Sequence, residues 1–123
     1  MRLEQAQGIE GPVIKGFSGG GFRIDDNVYA ALLITPARAD GWTPPPVAAL
    51  TVDLLAAILG IDPAPEFLLL GTGPTRIHPP IALIRDCEAR AIGVETMDSR
   101  AAARAWGVLR AEGRWIVGAL YAL

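Results

Sequence analysis

A chain of 123 residues with a net charge of −2, from 11 basic and 13 acidic side chains, has the size of one domain. Lys15 is its only lysine and the arginines are scattered, so there is no basic stripe with which to hold nucleic acid. An apolar share of 51% excludes a disordered chain and suffices for a core without staples, and the single cysteine, Cys87, excludes an internal disulfide.

Residues 1–8 are polar and are expected to form a flexible N-terminus ahead of one domain over residues 9–123. They contain no apolar run of the kind a signal peptide needs. The most apolar segments, Val47 to Ile61 and Trp115 to Leu123, are shorter than the ~20 residues of a spanning helix. The expectation is a soluble, cytoplasmic protein with no transmembrane segment. Peripheral association with a membrane is left open.

Ile9 to Phe17 reads as a first strand, weakened by Gly11 and Pro12. Gly19-Gly20-Gly21 lacks the Lys-Ser/Thr ending of a phosphate loop and reads as a turn. Phe22-Arg23-Ile24 alternates as a half-buried strand does, Asp25-Asp26-Asn27 is turn chemistry, and Val28 to Thr35 is the returning strand. Together they predict a β-hairpin. Pro36 to Pro46 is a long loop around Trp42, which either tucks onto the sheet or stands out as an anchor for a partner.

Leu50 to Leu59 is expected to be a helix, with Leu50, Leu54 and Ile58 on one face, Leu55 and Leu59 beside them, Thr51 as a candidate cap and Gly60 as its stop. Phe67-Leu68-Leu69-Leu70 then runs straight into Gly71-Thr72-Gly73-Pro74. Four consecutive apolar residues predict a strand buried on both faces, and the glycines let its exit bend or approach something closely. Pro79-Pro80 opens a second helix with Ile81, Ile84 and Cys87 inward and Leu83 alongside, so Cys87 reads as a core thiol. Ile92 to Thr96 is another strand. Asp98 is the N-cap of a third helix, whose inward face is Ala102, Ala105, Trp106 and Leu109, whose Arg100, Arg104 and Arg110 are expected to be solvated, and whose end is Gly113. Trp115 to Leu123 is a final, central strand. This order predicts an α/β fold: a single domain in three layers, a mixed central β-sheet with an N-terminal β-hairpin and about three packed helices.

No catalytic grouping emerges. The only histidine is His78, no serine or Cys87 sits in nucleophile surroundings, and one His with one Cys does not make a metal site. No cofactor motif is complete either: after Gly71-x-Gly73 a dinucleotide loop would place glycine where Arg76 stands. The loop past a buried strand is nevertheless the default place for a site in α/β proteins. The candidate pocket is therefore Gly71, Thr72, Gly73, Thr75, Arg76 and His78, faced by Glu95, Met97 and Asp98. Hydroxyls, a guanidinium and an imidazole beside glycine amides suit an anion or a carboxylate.

Leu68-Leu69-Leu70-Gly71-Thr72-Gly73, Gly93-Val94-Glu95-Thr96-Met97-Asp98-Ser99 and Ala111-Glu112-Gly113-Arg114 together resemble a small MTH-type α/β domain family of unknown molecular function. That family includes the mitochondrial respiratory complex I assembly factor three and an adipogenesis-associated protein. Gly20-Gly21-Phe22-Arg23-Ile24 and the segment from Thr35-Pro36 to Trp42 extend the resemblance over about residues 9 to 121. Thr96, Ser99 and Trp106-Gly107 depart from its usual aliphatic, threonine and Tyr-Asn. The resemblance implies a three-layer fold, a free-standing bacterial domain, and a non-enzymatic, assembly-factor-like interaction module with protein partners of unknown identity. The alternative is small-ligand or anion binding, with or without catalysis, at the loop after residues 67–70. Oligomeric state is not legible.

Overall fold

The computed structural model describes residues 10–123; the expected flexible segment 1–8, and Ile9, lie outside the described residues. Two sheets are present. The smaller is antiparallel and consists of β1 (Gly16–Ser18), β2 (Gly21–Ile24) and β3 (Asn27–Tyr29). Gly19 and Gly20 at positive φ carry the β1–β2 turn, and Asp25, at φ 52°, takes the left-handed position of the β2–β3 turn that aspartate tolerates.

The larger sheet has the order β5-β4-β8-β6-β7. Its strands are β4 (Leu32–Ile34), β5 (Ala39–Gly41), β6 (Phe67–Gly71), β7 (Gly93–Met97) and β8 (Val117–Leu120). β6 runs parallel to both β7 and β8, while β4 is antiparallel to β8 and β5. The sheet is mixed, as the element order requires.

β6 alternates between the two cores. Leu68 and Leu70 point to one side with Leu55, Leu83, Cys87, Val117 and Ala119; Leu69 points to the other with Phe22, Ile34, Trp106 and Leu120. All three leucines are fully buried. One outer layer is α1 (Ala56–Leu59) with α2 (Ile81–Glu88); the other is α3 (Ser99–Ala111) together with the small sheet. The result is a single α/β domain of three layers. The last apolar run supplies β8, the middle strand.

Four local expectations need correction. The first strand is only Gly16–Ser18, because Gly11 and Pro12 keep the preceding chain irregular. Val28 to Thr35 is not one strand: a bend at Ala30-Ala31 leaves Tyr29 paired with Phe22 and sends Leu32–Ile34 to the other sheet, against β8. Leu50 to Leu59 is not one helix. Leu50 is extended (φ −72°, ψ 132°), a 3₁₀ turn covers Asp53–Leu55, and only one α-turn follows. The phase change turns Leu54 outward and buries Leu55, although Thr51 Oγ1 does accept the Leu54 N–H at 3.4 Å. In α2 the inward pair is Leu83 and Cys87, spaced by four, and Ile81 is exposed.

Candidate functional site

The exit of β6 is tied down by its own neighbours. The Gly71 carbonyl accepts from Tyr121 N–H at 2.8 Å, and Thr72 N–H donates to the Met97 carbonyl at 3.0 Å. Thr72 Oγ1 donates to the Thr75 carbonyl and accepts from Ile77 N–H, both at 2.8 Å. Gly73 N–H donates to Ser99 Oγ, and Ser99 N–H returns a bond to the Gly73 carbonyl, again both at 2.8 Å. Gly71 is a glycine for a packing reason: a Cβ there would lie 2.9 Å from Ser99 Oγ and 3.0 Å from Ser99 Cα. The close approach anticipated at this exit is that of the start of α3. An anion seated on the amides of Thr72 and Gly73 would have to break these bonds.

The polar candidates are dispersed around this knot. Asp98 caps α3, its Oδ1 accepting from Ala101 N–H at 2.9 Å. Met97 packs on the α3 side of the core. Thr75, His78 and Glu95 are exposed, and among the described residues no hydrogen bond or ion pair joins Arg76, His78 and Glu95 to one another. Arg76 reaches the edge of the sheet, where its Nε donates to the Thr96 carbonyl at 3.2 Å. Gly93 N–H and the Met97 carbonyl face β6, so by the parallel repeat the Thr96 carbonyl points away from it. Arg76 therefore covers an open backbone group of edge strand β7.

A concave feature does lie at this end of the sheet, beside the polar loop. A groove of about 480 Å³ is bounded by Ala31, Trp42, Val47, Gly73, Ile77 and Tyr121, and Thr72 and Pro74 also line it. Of the sequence-predicted residues it gathers Trp42, Thr72 and Gly73; Gly71, Thr75, Arg76, His78, Glu95, Met97 and Asp98 do not line it. Trp42 is held in place by Nε1–H donating to the Leu120 carbonyl at 3.3 Å and by an edge-to-face contact with Tyr121, centroids 5.7 Å apart. It is partly buried, both packed on the core and presented to the groove. Burial raises the pKa of the Tyr121 phenol above its usual value. Val47, Ile77 and Tyr121 had no chemical flag in the sequence. The available signal was topological, because β6 and the last strand end side by side. Among the described residues no three His, Cys, Asp or Glu side chains gather as metal ligands.

The fold is that of an Mth938-like domain. A solution structure of such a domain from Bordetella pertussis superposes with a TM-score of 0.79 at 27% identity, over 98% of this chain and 92% of that one. Residues 14–121 match the family described as protein of unknown function (DUF498/DUF598), and the chain belongs to that family. An uncharacterized protein of Rhodobacter capsulatus is 35% identical over 108 residues, covering 87% of this chain and 82% of the relative. NADH dehydrogenase [ubiquinone] 1 alpha subcomplex assembly factor 3 of Danio rerio is 29% identical over 123 residues, covering 98% of this chain and 70% of the relative. No helix among the described residues is long and apolar enough to cross a membrane.

Proposed function

We propose that this domain is a non-enzymatic interaction module, assembly-factor-like in its action, and that a protein partner docks in the groove past β6. The observation that carries the reading is the character of that groove. It is apolar, it is anchored by a Trp–Tyr pair, and Ile77, which lines it, is 45% exposed. Aromatic and aliphatic side chains fixed by packing are the kind that carry binding energy at interfaces. The name of the Danio rerio relative adds a direction, the assembly of respiratory complexes, which we extend to this chain.

A cross-linking capture from the native cell tests the reading with three baits: the wild type, Ile77→Glu and Val28→Glu. Val28 is 50% exposed on the small sheet, does not line the groove, and serves as the matched control. The expected result is one reproducible partner retained by wild type and Val28→Glu and lost from Ile77→Glu. Identical recoveries on all three baits, or no reproducible partner, overturn it.

The second reading is a small ligand in the same groove, whose 480 Å³ falls in the usual range for such pockets. With the loop amides already bonded, that ligand is predominantly apolar. A ligand at 100 times its Kd stabilises by about 2.7 kcal/mol, so a thermal-shift panel of apolar and anionic compounds separates this reading from the first.

A further inference from the structure

At the opposite end of the sheet, a second cleft of about 570 Å³ opens between the end of α3, residues 10–11 and the β4–β5 turn. Its lining is mixed, with Trp115, Pro36 and Ala37 beside Glu10 and Arg110. Its one cation is Arg110, a last-turn residue of α3 that is only 9% exposed.

The bonding of Arg110 is incomplete. A guanidinium has five N–H donors. Nη1 donates to the Arg114 carbonyl at 2.7 Å and Nη2 to the Glu10 carbonyl at 3.1 Å, while Nε is buried with no acceptor among the described residues. The second hydrogen of each Nη finds no further acceptor there. The guanidinium carbon lies 5.9 Å from the centre of the Trp115 ring. Both acceptors are neutral. The ion pairs of the described residues are Lys15–Asp25, Arg38–Asp40 and Arg114–Glu66, and none includes Arg110. Carbonyls and the negative end of α3 offset part of the desolvation, and among the described residues no carboxylate pairs with the guanidinium. A buried arginine in that condition is rare unless paired.

From this we infer that the cleft binds a small organic carboxylate, its head group on the Nη hydrogens of Arg110 and its apolar body against Trp115 and Pro36. One fixed positive charge matches one carboxylate, and the planar fork suits two oxygens. A phosphate dianion fits less well, because it brings a second negative charge where Arg110 is the one cation of the lining and Glu10 also lines the cleft. The carboxylate has two possible sources, a free small acid or the C-terminus of a peptide.

The test is a thermal-shift and calorimetric titration at constant ionic strength. Its probes are hexanoate, phenylacetate, inorganic phosphate, and one short apolar peptide with a free or an amidated C-terminus. A saturable shift is expected with the carboxylates and not with phosphate or the amide. It should be at least tenfold weaker in Arg110→Lys, which keeps the charge and loses the fork, and absent in Arg110→Met. It should be unchanged in Arg104→Gln, exposed on the same helix, and in Ile77→Glu, which separates this site from the groove. Preference for the peptide over hexanoate assigns the second source, and the reverse assigns the first. Should Arg110→Met fail to fold, perturbation of the Trp115 indole N–H resonance in the wild type during the titration is the alternative readout. No saturable shift with any carboxylate, or an equal shift in a folded Arg110→Met, overturns the inference.

Discussion

Replacing Gly71 with alanine probes the joint on which the candidate site rests. The added methyl would sit 2.9 Å from Ser99 Oγ, 3.0 Å from Ser99 Cα and 3.1 Å from Ala102 Cβ. Two of these are backbone or backbone-fixed atoms at the start of α3, so relief requires the helix to move away from β6. Overpacking of this kind costs roughly 1–3 kcal/mol. Displacing Ser99 also weakens its bond to Gly73 N–H, adding about 1 kcal/mol. A loss of about 3 kcal/mol in a domain this size lowers Tm by roughly 9–18 °C. Gly107→Ala is the internal comparison. It lies inside α3 with no atom within 4 Å of an added Cβ, and it should stabilise by about 0.5–1 kcal/mol. Calorimetry on both variants decides the matter. A Gly71→Ala protein that melts within a degree or two of wild type refutes the reasoning, because α3 would then not be clamped to the strand exit.

Three further outcomes follow from named contacts. Trp42→Ala removes a partly buried ring and its hydrogen bond to Leu120, and should cost about 2 kcal/mol in urea unfolding while leaving the far-UV spectrum intact. The Glu66 carboxyl is held below its usual pKa first by the Trp115 N–H and then by Arg114. Its contribution is therefore complete above about pH 4.5, the ordinary glutamate value, and is lost as pH falls through the lowered folded value; Glu66→Gln should flatten that part of the stability–pH curve. Burial pushes the Cys87 thiol up, so a thiol reagent should label it at the rate of unfolding and not on mixing.

Most of the fold was legible because its signals are local or periodic. A run of three leucines in β6, alternation at Phe22-Arg23-Ile24, the Asp98 cap and the glycine after α3 each have one physical reading, and each holds. The errors fall where tertiary packing chose between equal local options. Nothing in Val28 to Thr35 marks the bend at Ala30-Ala31; it exists because Tyr29 belongs over Phe22 and Leu32 beside Leu120. The stretch from Leu50 to Leu59 carries helical spacing, but its buried residues are satisfied as well by a 3₁₀ turn, and Leu54 is left outside.

The site was harder for a reason of principle. Sequence reading weights side chains that can do chemistry, so it favoured Arg76, His78 and Glu95 around the glycine turn. Hydrogen-bond completeness works against that choice. A turn that leaves β6 between two neighbours must bond its own amides, and Thr72, Gly73 and Ser99 do so within the fold. Arg76 meanwhile covers an edge carbonyl. What the same turn leaves open is the space above it, bounded by Trp42, which the sequence did flag, and by Ile77 and Tyr121, which are far from it in sequence and carry no chemical flag. Among the described residues a buried, incompletely bonded charge lies elsewhere, in Arg110, which was expected in solvent although it stands four residues after the inward Trp106. Its burial comes from residues 10–11 folding over the end of α3, a contact between chain positions 100 apart. The two clefts can therefore be separated experimentally: substitutions at Ile77 and at Arg110 act at opposite ends of one sheet and should add without coupling. Strong coupling between them in ligand binding would mean that the sheet transmits strain from one cleft to the other.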